Sequence, residues 1–235
     1  MLAALVQEPY TGSEGRVKEQ SGARVYQHEQ AGATVTKAAI FVFDEKIEVI
    51  QFPEWTTPNV VVVKLRTEAW EITLVSFYLE PDPKDVQHHI DRIQRICDRA
   101  KNRIILAGDA NAKSPWWCSP NVDHRGDLIA DTLHSMNFEI LNNSNIPTFD
   151  TVRGGKSYRS YVDITACTAD LLAIIDEWSV EEGLVSSDHN GITFKMRLER
   201  SEGRRTERTT RKYNTRKANW SLFEKRLSEL LDWAT

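Results

Sequence analysis

The chain has 235 residues and a formal net charge of −4, enough for one α/β domain of about 200 residues plus a tail. Its three cysteines are widely spaced, which excludes a disulfide framework and a cysteine-rich zinc site and is typical of a reducing compartment. The sequence has no apolar stretch near the roughly 18 residues that a bilayer span needs, and no basic flank of a signal peptide, so we expect no membrane partner.

The first third of the chain predicts five strands, because its apolar runs are rich in Val, Ile and aromatic residues. These runs are residues 3–6, 38–43, 46–51, 59–65 and 71–78. Asp82-Pro83 then offers a helix cap followed by proline at the first helical position. The apolar residues that follow recur at helical spacing, so the sequence predicts an amphipathic helix over residues 83–101.

The second half of the chain continues with alternating elements. Residues 104–107 predict a buried strand that stops at Gly108, where glycine permits a tight exit. A second helix is predicted after Gly126. Short strands are predicted around residues 139–141, 161–167, 177–180 and 192–198. Mixed strands with two helices predict an α/β or α+β domain over residues 1–199.

The tail differs from the body in charge. Residues 200–235 contain ten Lys and Arg against five Asp and Glu, a net charge of +5, which leaves −9 for residues 1–199. So acidic a body is not a generic nucleic-acid binder and would need a local patch or divalent cations to approach DNA. We interpret residues 200–235 as a basic linker with a short amphipathic helix at 220–233, which either contacts phosphates or is a solvated connector.

Polar side chains gather where the predicted strands end. Asp109 and Asn111 follow the run at 104–107, and Ser187-Asp188-His189 precedes the last strand. Further examples are Glu8, Tyr78 and Asp163. One Gly-Asp at a strand end is usually a turn, but burying many ionisable groups together costs free energy unless a cation or substrate compensates. The set as a whole is what metal-assisted hydrolysis requires.

These residues, in this order, resemble the exonuclease–endonuclease–phosphatase superfamily, which includes deoxyribonuclease I and the apurinic/apyrimidinic endonucleases, from about residue 3 to about 199. Within it, the chain is most similar to the endonuclease domain of non-LTR (LINE-type) retrotransposons, in the motifs GDANAKSPWWCSP, DHRGDLIADTL, IPTFDT and SSDHNGI. Residues 211–223 resemble the linker leading from that domain towards a reverse transcriptase. The resemblance implies a deoxyribonuclease I-like fold, a two-sheet β-sandwich flanked by helices.

The resemblance also implies which residues bind metal and activate water. Glu8 and Asp188 would bind Mg²⁺ or Mn²⁺, a cation that takes a few carboxylates and keeps several waters. Asp109 would orient or deprotonate the attacking water. Asn111, which cannot ionise, would donate a hydrogen bond to a phosphoryl oxygen.

A second group would act on the phosphate side. His189 would be the donor to the phosphate, with Asp163 as the carboxylate that fixes its tautomer and favours its protonated form. Tyr78 would donate its hydroxyl to the phosphate region. Thr148 and Ser187 would support these residues from behind.

Two loops are candidates for DNA contact. Trp116 and Trp117 either stack on a base, wedge a groove or cap the core. Arg153-Gly154-Gly155-Lys156 is interpreted as a flexible basic turn, in which Arg153 and Lys156 either touch a DNA backbone or are solvated.

The beginning of the sequence departs from the family pattern. Members open with a strand ending in Asn, then a helix, then the strand that bears the metal-binding Glu. Here Glu8 stands almost at the start, so we expect the first strand, its Asn and the helix to be missing. A version extended upstream is then expected to be more stable and more active, because the run before Glu8 would gain a sheet neighbour.

Three function classes remain open. The leading one is a Mg²⁺-dependent endonuclease that nicks double-stranded target DNA and leaves a 3′-hydroxyl to prime reverse transcription. It would act in the nucleus after cytoplasmic synthesis, with the downstream reverse transcriptase of the same polyprotein as its partner. The second is another phosphoesterase of this fold, acting on inositol phosphates, lipids or RNA. The third is an inactive fragment of a decayed element.

Overall fold

The computed structural model describes residues 1–29, 34–81, 86–101, 103–198 and 221. The strands along the chain are β1 (Ala3–Gln7), β2 (Arg24–Tyr26), β3 (Ala38–Val42), β4 (Glu48–Gln51), β5 (Val60–Arg66), β6 (Glu71–Tyr78), β7 (Ile104–Asp109), β8 (Phe138–Ile140), β9 (Phe149–Arg153), β10 (Lys156–Ser160), β11 (Asp163–Thr168), β12 (Ile175–Glu181) and β13 (Gly191–Met196). The α-helices are α1 (Val86–Ala100) and α2 (His124–Ser135), and 3₁₀ turns lie at Pro115–Trp117 and Leu172–Ile174.

Six strands form one mixed sheet in the order β4-β5-β6-β7-β11-β8. β6 and β7 run parallel, with helix α1 as the crossover between them, and the other neighbouring pairs are antiparallel. Three more strands pair in the order β1-β3-β2, while β12 pairs with β13 and β9 pairs with β10. Among the described strands, β1 and β13 each have one partner, so the expected strand beside β1 stays a prediction.

The six-stranded sheet is buried on both faces. Successive side chains of a strand point to opposite sides, so one strand contributes to two cores. On β5, Val61 and Val63 pack with Ile40 of β3 in a core between the sheets, to which β12 and β13 also contribute. Val60 and Val62 instead join the core beneath both helices. The predicted two-sheet sandwich flanked by helices is therefore confirmed.

Helix α1 buries apolar residues at helical spacing, as the sequence predicted. α1 buries Ile90, Ile93, Ile96 and Cys97, and residues 82–85, with the predicted cap, lie outside the described residues. α2 begins at His124, two residues before Gly126, because the Asp123 side chain accepts a hydrogen bond from the Gly126 N–H at 2.7 Å. Neither described helix is long and apolar enough to cross a membrane.

Two features of the second half were not predicted. β9 and β10 form an exposed hairpin whose tip, Gly154-Gly155, has positive φ, so the basic turn predicted there joins two strands. Gly108 does not end β7 but lies within it.

The chain divides into the compact units Met1–Glu199 and Arg200–Thr235. The helix predicted at 220–233 lies outside the described residues apart from Ser221, which is helical.

Candidate active site

Three of the predicted site residues lie side by side in one row, at the same end of three neighbouring central strands of the large sheet. β6 ends at Tyr78, β7 ends at Asp109 and β11 begins at Asp163. Tyr78 pairs with Asp109, and Asp109 pairs with Asp163. All three are buried, with 7%, 4% and 8% of their surface exposed. Strand pairing therefore places the three side chains next to one another on one face of the sheet, because paired residues on neighbouring strands point to the same face.

His189 connects the two aspartates of this row. Its Nδ1 lies 2.9 Å from an oxygen of Asp163, and its Nε2 lies 4.0 Å from an oxygen of Asp109. The ring of Phe149 packs edge-to-face against the imidazole at a centroid distance of 5.1 Å, and the two backbones form a β-bridge. Asp163 thus orients the ring, which leaves Nε2 facing Asp109.

Asn111 closes the loop after β7. Its backbone N–H donates to Asp109 at 2.8 Å, and its amide nitrogen donates to the Leu79 carbonyl at 3.0 Å and to Asp109 at 3.3 Å. The residue has φ 46°, a left-handed conformation that Asn tolerates better than most residues. Such strain is retained only where surrounding contacts fix the backbone, as the bonds to Asp109 and Leu79 do here.

The predicted supporting residues hold the backbone of the site. Thr148 Oγ1 accepts hydrogen bonds from the N–H groups of Val162 and Asp163, both at 3.1 Å. Ser187 Oγ accepts from the N–H of His189 at 3.1 Å. Asn142, which the sequence reasoning missed, donates to the Asp163 carbonyl at 2.9 Å. No local motif marks this residue, since its partner is distant in sequence.

Glu8 lies at the end of β1, beside the row. Its N–H donates to the Lys37 carbonyl at 2.8 Å, and its carboxylate accepts from the Lys37 ammonium at 2.8 Å. The charge of Glu8 contributes to the raised pKa values of Asp109, His189 and Tyr78. Sequence reasoning missed Lys37, whose ammonium also lies 5.3 Å from the centre of the Tyr78 ring.

Asp188 is held by the β9–β10 hairpin. One of its oxygens accepts from the Thr151 hydroxyl at 2.8 Å and the other from the Arg153 guanidinium at 2.7 Å. These bonds hold the pKa of Asp188 below its usual value. The predicted metal pair of Glu8 and Asp188 therefore consists of two carboxylates that each have a cationic partner.

The charges of the row change the pKa values of its members. Burial, followed by the charge of Asp163, raises the pKa of Asp109 to about 7. Burial also raises the pKa of Tyr78, and Glu8, Glu80 and Asp109 raise it further. Burial alone would lower the pKa of His189, but its hydrogen bond to Asp163 and the nearby carboxylates outweigh that effect, so the pKa is raised overall.

A stability prediction follows from the buried charge of Asp109. Because burial raises the folded pKa of Asp109, its protonated carboxyl contributes to the free energy of unfolding. This contribution is fully present below the unfolded pKa near 3.9 and is lost as pH rises through the folded pKa of about 7. Asp109→Asn removes this loss. In metal-free buffer we expect the variant to melt higher than the parent at pH 8, by the equivalent of a few kcal/mol, and the difference to shrink at pH 5.

The measurement is a pair of thermal melts at each pH. Asp131→Asn is the matched control, because it removes the same charge from an exposed position on α2. A variant Asp109→Asn that melts at or below the parent temperature at pH 8 would show that Asp109 carries no unfavourable charge.

The two candidate DNA-contacting loops differ in how many of their proposed contact residues are exposed. Trp117 is fully buried and its indole N–H donates to the carbonyls of Ala112 and Tyr161, so this ring belongs to the core and is not available for base stacking. Trp116 is 65% exposed and lies near the His134 ring. Arg153 and Lys156 are an exposed pair opposite each other at the hairpin tip.

The oxygen-rich donor set suits a hard divalent cation. Among the described residues, one ligand atom each of Asp109, Asp163 and His189 lies within 4.8 Å of the others. His189 and Asp163 are already bonded to one another. Asp109 accepts two hydrogen bonds from Asn111 and Glu8 accepts one from Lys37, so each of these carboxylates has lone pairs left that could take a cation. Asp188 would have to release Thr151 and Arg153 to join them.

Comparison with known proteins identifies the family. The endonuclease domain of TRAS1, a telomere-specific non-LTR retrotransposon, is 50% identical, with a TM-score of 0.78 over 84% of this chain and 87% of that chain. A 115 kDa protein in the type-1 retrotransposable element R1DM of Drosophila melanogaster is 27% identical over 96% of this chain, which spans 22% of that protein. The AP endonuclease LMAP from Leishmania major is 13% identical, with a TM-score of 0.60 over 75% of this chain and 71% of that chain, and is similar in fold.

The sequence profile of one family covers the strands that carry this site. It is described as endonuclease-reverse transcriptase and matches residues 72–193, just over half of the chain. The matched region runs from β6 to β13 and includes Tyr78, Asp109, Asp163 and His189. The chain therefore belongs to the endonuclease-reverse transcriptase family, as the resemblance in its motifs implied.

Proposed function

We propose that this domain is a metal-dependent DNA endonuclease of a non-LTR retrotransposon, which nicks target DNA to leave a 3′-hydroxyl for reverse transcription. The observation that supports it best is the buried row of Tyr78, Asp109 and Asp163 with His189 bridging the two aspartates. The 50% identity to an endonuclease domain of a telomere-specific retrotransposon supports the same class.

Hydrolysis of a phosphodiester in this site would proceed by attack of water on phosphorus. The P–O3′ bond breaks, the departing oxygen takes up a proton, and the products are a 3′-hydroxyl and a 5′-phosphate. Asp109 is placed to accept the proton of the water, because its pKa of about 7 suits a base that works near neutral pH. Asn111 is held against Asp109 and would position the phosphate beside that base.

Charge on the phosphate would be stabilised by two hydrogen-bond donors, His189 and Tyr78. The hydrogen bond to Asp163 raises the pKa of His189 and so favours the protonated ring, whose Nε2 can donate to a phosphoryl oxygen. The Tyr78 hydroxyl stays protonated, since its pKa is raised, and can donate as well. Removal of one such positioned donor commonly lowers a rate by about 10²-fold.

The carboxylates of the site fit Mg²⁺ or Mn²⁺. Asp109 is buried among like charges, and a cation is the usual compensation for such clustering. We propose that Glu8 holds the metal beside Asp109, and that Asp188 becomes a second ligand only after it releases Thr151 and Arg153. A bound divalent cation would neutralise the phosphate and favour ionisation of a coordinated water.

We assign substrate contact to the exposed residues of the two candidate DNA-contacting loops. The exposed Trp116 would stack or wedge at the DNA, and Arg153 and Lys156 would contact its backbone. The relatives are proteins of retrotransposable elements, one named an RNA-directed DNA polymerase. We propose on that basis that the domain works with a reverse transcriptase downstream in one polyprotein, on nuclear DNA.

The test is a plasmid-nicking assay on this chain and, beside it, on a version extended upstream. We expect supercoiled plasmid to become open circle with Mg²⁺ or Mn²⁺, and excess chelator to abolish the conversion. Inositol phosphates serve as the contrasting substrate. Cleavage that persists in excess chelator would refute the metal mechanism. Turnover of inositol phosphates without nicking would move the domain to the second function class.

A further inference from the structure

Lys37 is a cation beside the candidate active site, and the proposed chemistry gives it no role. Its ammonium lies 2.8 Å from an oxygen of Glu8 and 5.3 Å from the centre of the Tyr78 ring. The pair is fixed by its backbone as well. The N–H of Glu8 donates to the Lys37 carbonyl, and the N–H of Lys37 donates to the Pro58 carbonyl, both at 2.8 Å.

The two side chains differ from an ordinary surface pair in their position. Lys37 is 31% exposed and Glu8 50% exposed, but Glu8 has φ 46° and the pair flanks the buried row. The hydrogen bond to Glu8 raises the pKa of Lys37 despite partial burial, and Glu80 adds to the effect. Lys37 therefore carries its charge at any pH at which the domain would work.

The position of this cation conflicts with the role of its partner. Glu8 is the carboxylate that we assign to the divalent metal, and in the structure Lys37 already neutralises it. A metal that takes this carboxylate repels the ammonium, since like charges a few ångströms apart interact unfavourably. The Lys37 stem is flexible, and the ring of Tyr78 beside it lies where the phosphate is expected.

We propose that Lys37 exchanges partners during the reaction: it neutralises Glu8 in the metal-free domain and contacts a phosphodiester oxygen of DNA when a divalent cation takes Glu8. The first half of the proposal rests on the proposed metal site at Glu8, and the second half rests on the proposed nuclease activity. Lys37 thereby has two opposite effects. It weakens metal binding by competing for Glu8, and it promotes cleavage by binding the phosphate.

The experiment compares Lys37→Met and Lys37→Arg with the parent chain. The first readout is the thermal shift produced by Mg²⁺ alone, without DNA. Lys37→Met should lower the half-saturating Mg²⁺ concentration by about 2–5-fold, the effect of removing one partly exposed ion pair. The second readout is nicking at saturating Mg²⁺, which should fall about 10-fold or more in Lys37→Met, because a phosphate contact is lost. Lys37→Arg should keep both values within about 3-fold of the parent.

The control is Lys64→Met, which removes a comparable lysine–glutamate pair with Glu71 on the strands β5 and β6. It should change neither readout. A Lys37→Met variant that binds Mg²⁺ more weakly would overturn the proposal, because Lys37 would then merely order Glu8. If the parent nicks DNA and Lys37→Met matches it in both readouts, the proposal falls and the proposed function stands. If no protein nicks but Lys37→Met binds Mg²⁺ more tightly, competition for Glu8 is supported and the nuclease function fails.

Discussion

Replacement of His189 or Asp109 by alanine is expected to lower the rate of plasmid nicking by on the order of 10²-fold or more, with little loss of fold. His189→Ala removes the donor that Asp163 orients at 2.9 Å. Asp109→Ala removes the acceptor at the end of β7. The nicking rate of Asp188→Ala should fall by the same order, because Thr151 and Arg153 lose the carboxylate next to His189 that they both bind.

The measurement is the initial rate of open-circle formation at saturating Mg²⁺, with melting temperatures recorded alongside. His88→Ala and Asp98→Ala, at exposed positions of α1, are the matched controls and should nick at the parental rate. The folded state of the catalytic variants should be retained, and Asp109→Ala relieves an unfavourable buried charge. A His189→Ala variant with the parental rate would remove His189 from the mechanism.

The largest effect on stability is expected from Gly108→Ala. A β-carbon at this position would overlap the backbone carbonyl of Phe77 on the neighbouring parallel strand. Backbone cannot move away as a flexible side chain can, so β6 and β7 would have to separate in the middle of the sheet. We expect a loss of at least about 4 kcal/mol, equivalent to a fall in melting temperature of about 10 °C or more, or failure to accumulate in soluble form.

Thermal melts of soluble protein are the measurement. Gly12→Ala is the control, because a β-carbon there meets only the flexible end of the Lys18 side chain at 3.3 Å. Should Gly108→Ala melt within about 2 °C of the parent, the close approach of β6 and β7 would be wrong, and with it the pairing of Tyr78 with Asp109.

Much of the architecture was predictable because its signals are local. The strand at 71–78 was predicted with the bounds that β6 has, and the apolar face of α1 was read from helical spacing. The β9–β10 hairpin was missed, since its residues are mostly exposed and show no apolar alternation. Gly108 was interpreted as the end of a strand, because a glycine needed for close strand approach has the same local signature as a glycine in a turn.

The site residues were predicted in part by position and in part by family likeness. The local pattern of predicted strands singled out Asp109, Asn111, Asp163 and His189 alike, whereas the family resemblance supplied their individual roles. The structure brings Tyr78, Asp109, Asp163 and His189 together. It places Asp188 against Arg153 and adds Lys37 to Glu8, two pairings that no local pattern contains.

Most of the strands, both described helices and several motif residues at strand ends were predictable from the sequence, since side-chain periodicity and capping act within a few residues. The burial of one of two adjacent tryptophans depends on the packing of the domain: Trp117 fills the core and Trp116 faces solvent. Tertiary structure also decided that Lys37 lies opposite Glu8, because the antiparallel register of β1 and β3 brings two residues 29 positions apart into contact. Contacts of this kind depend on how strands pair and pack, and a single sequence does not carry that register in any local pattern.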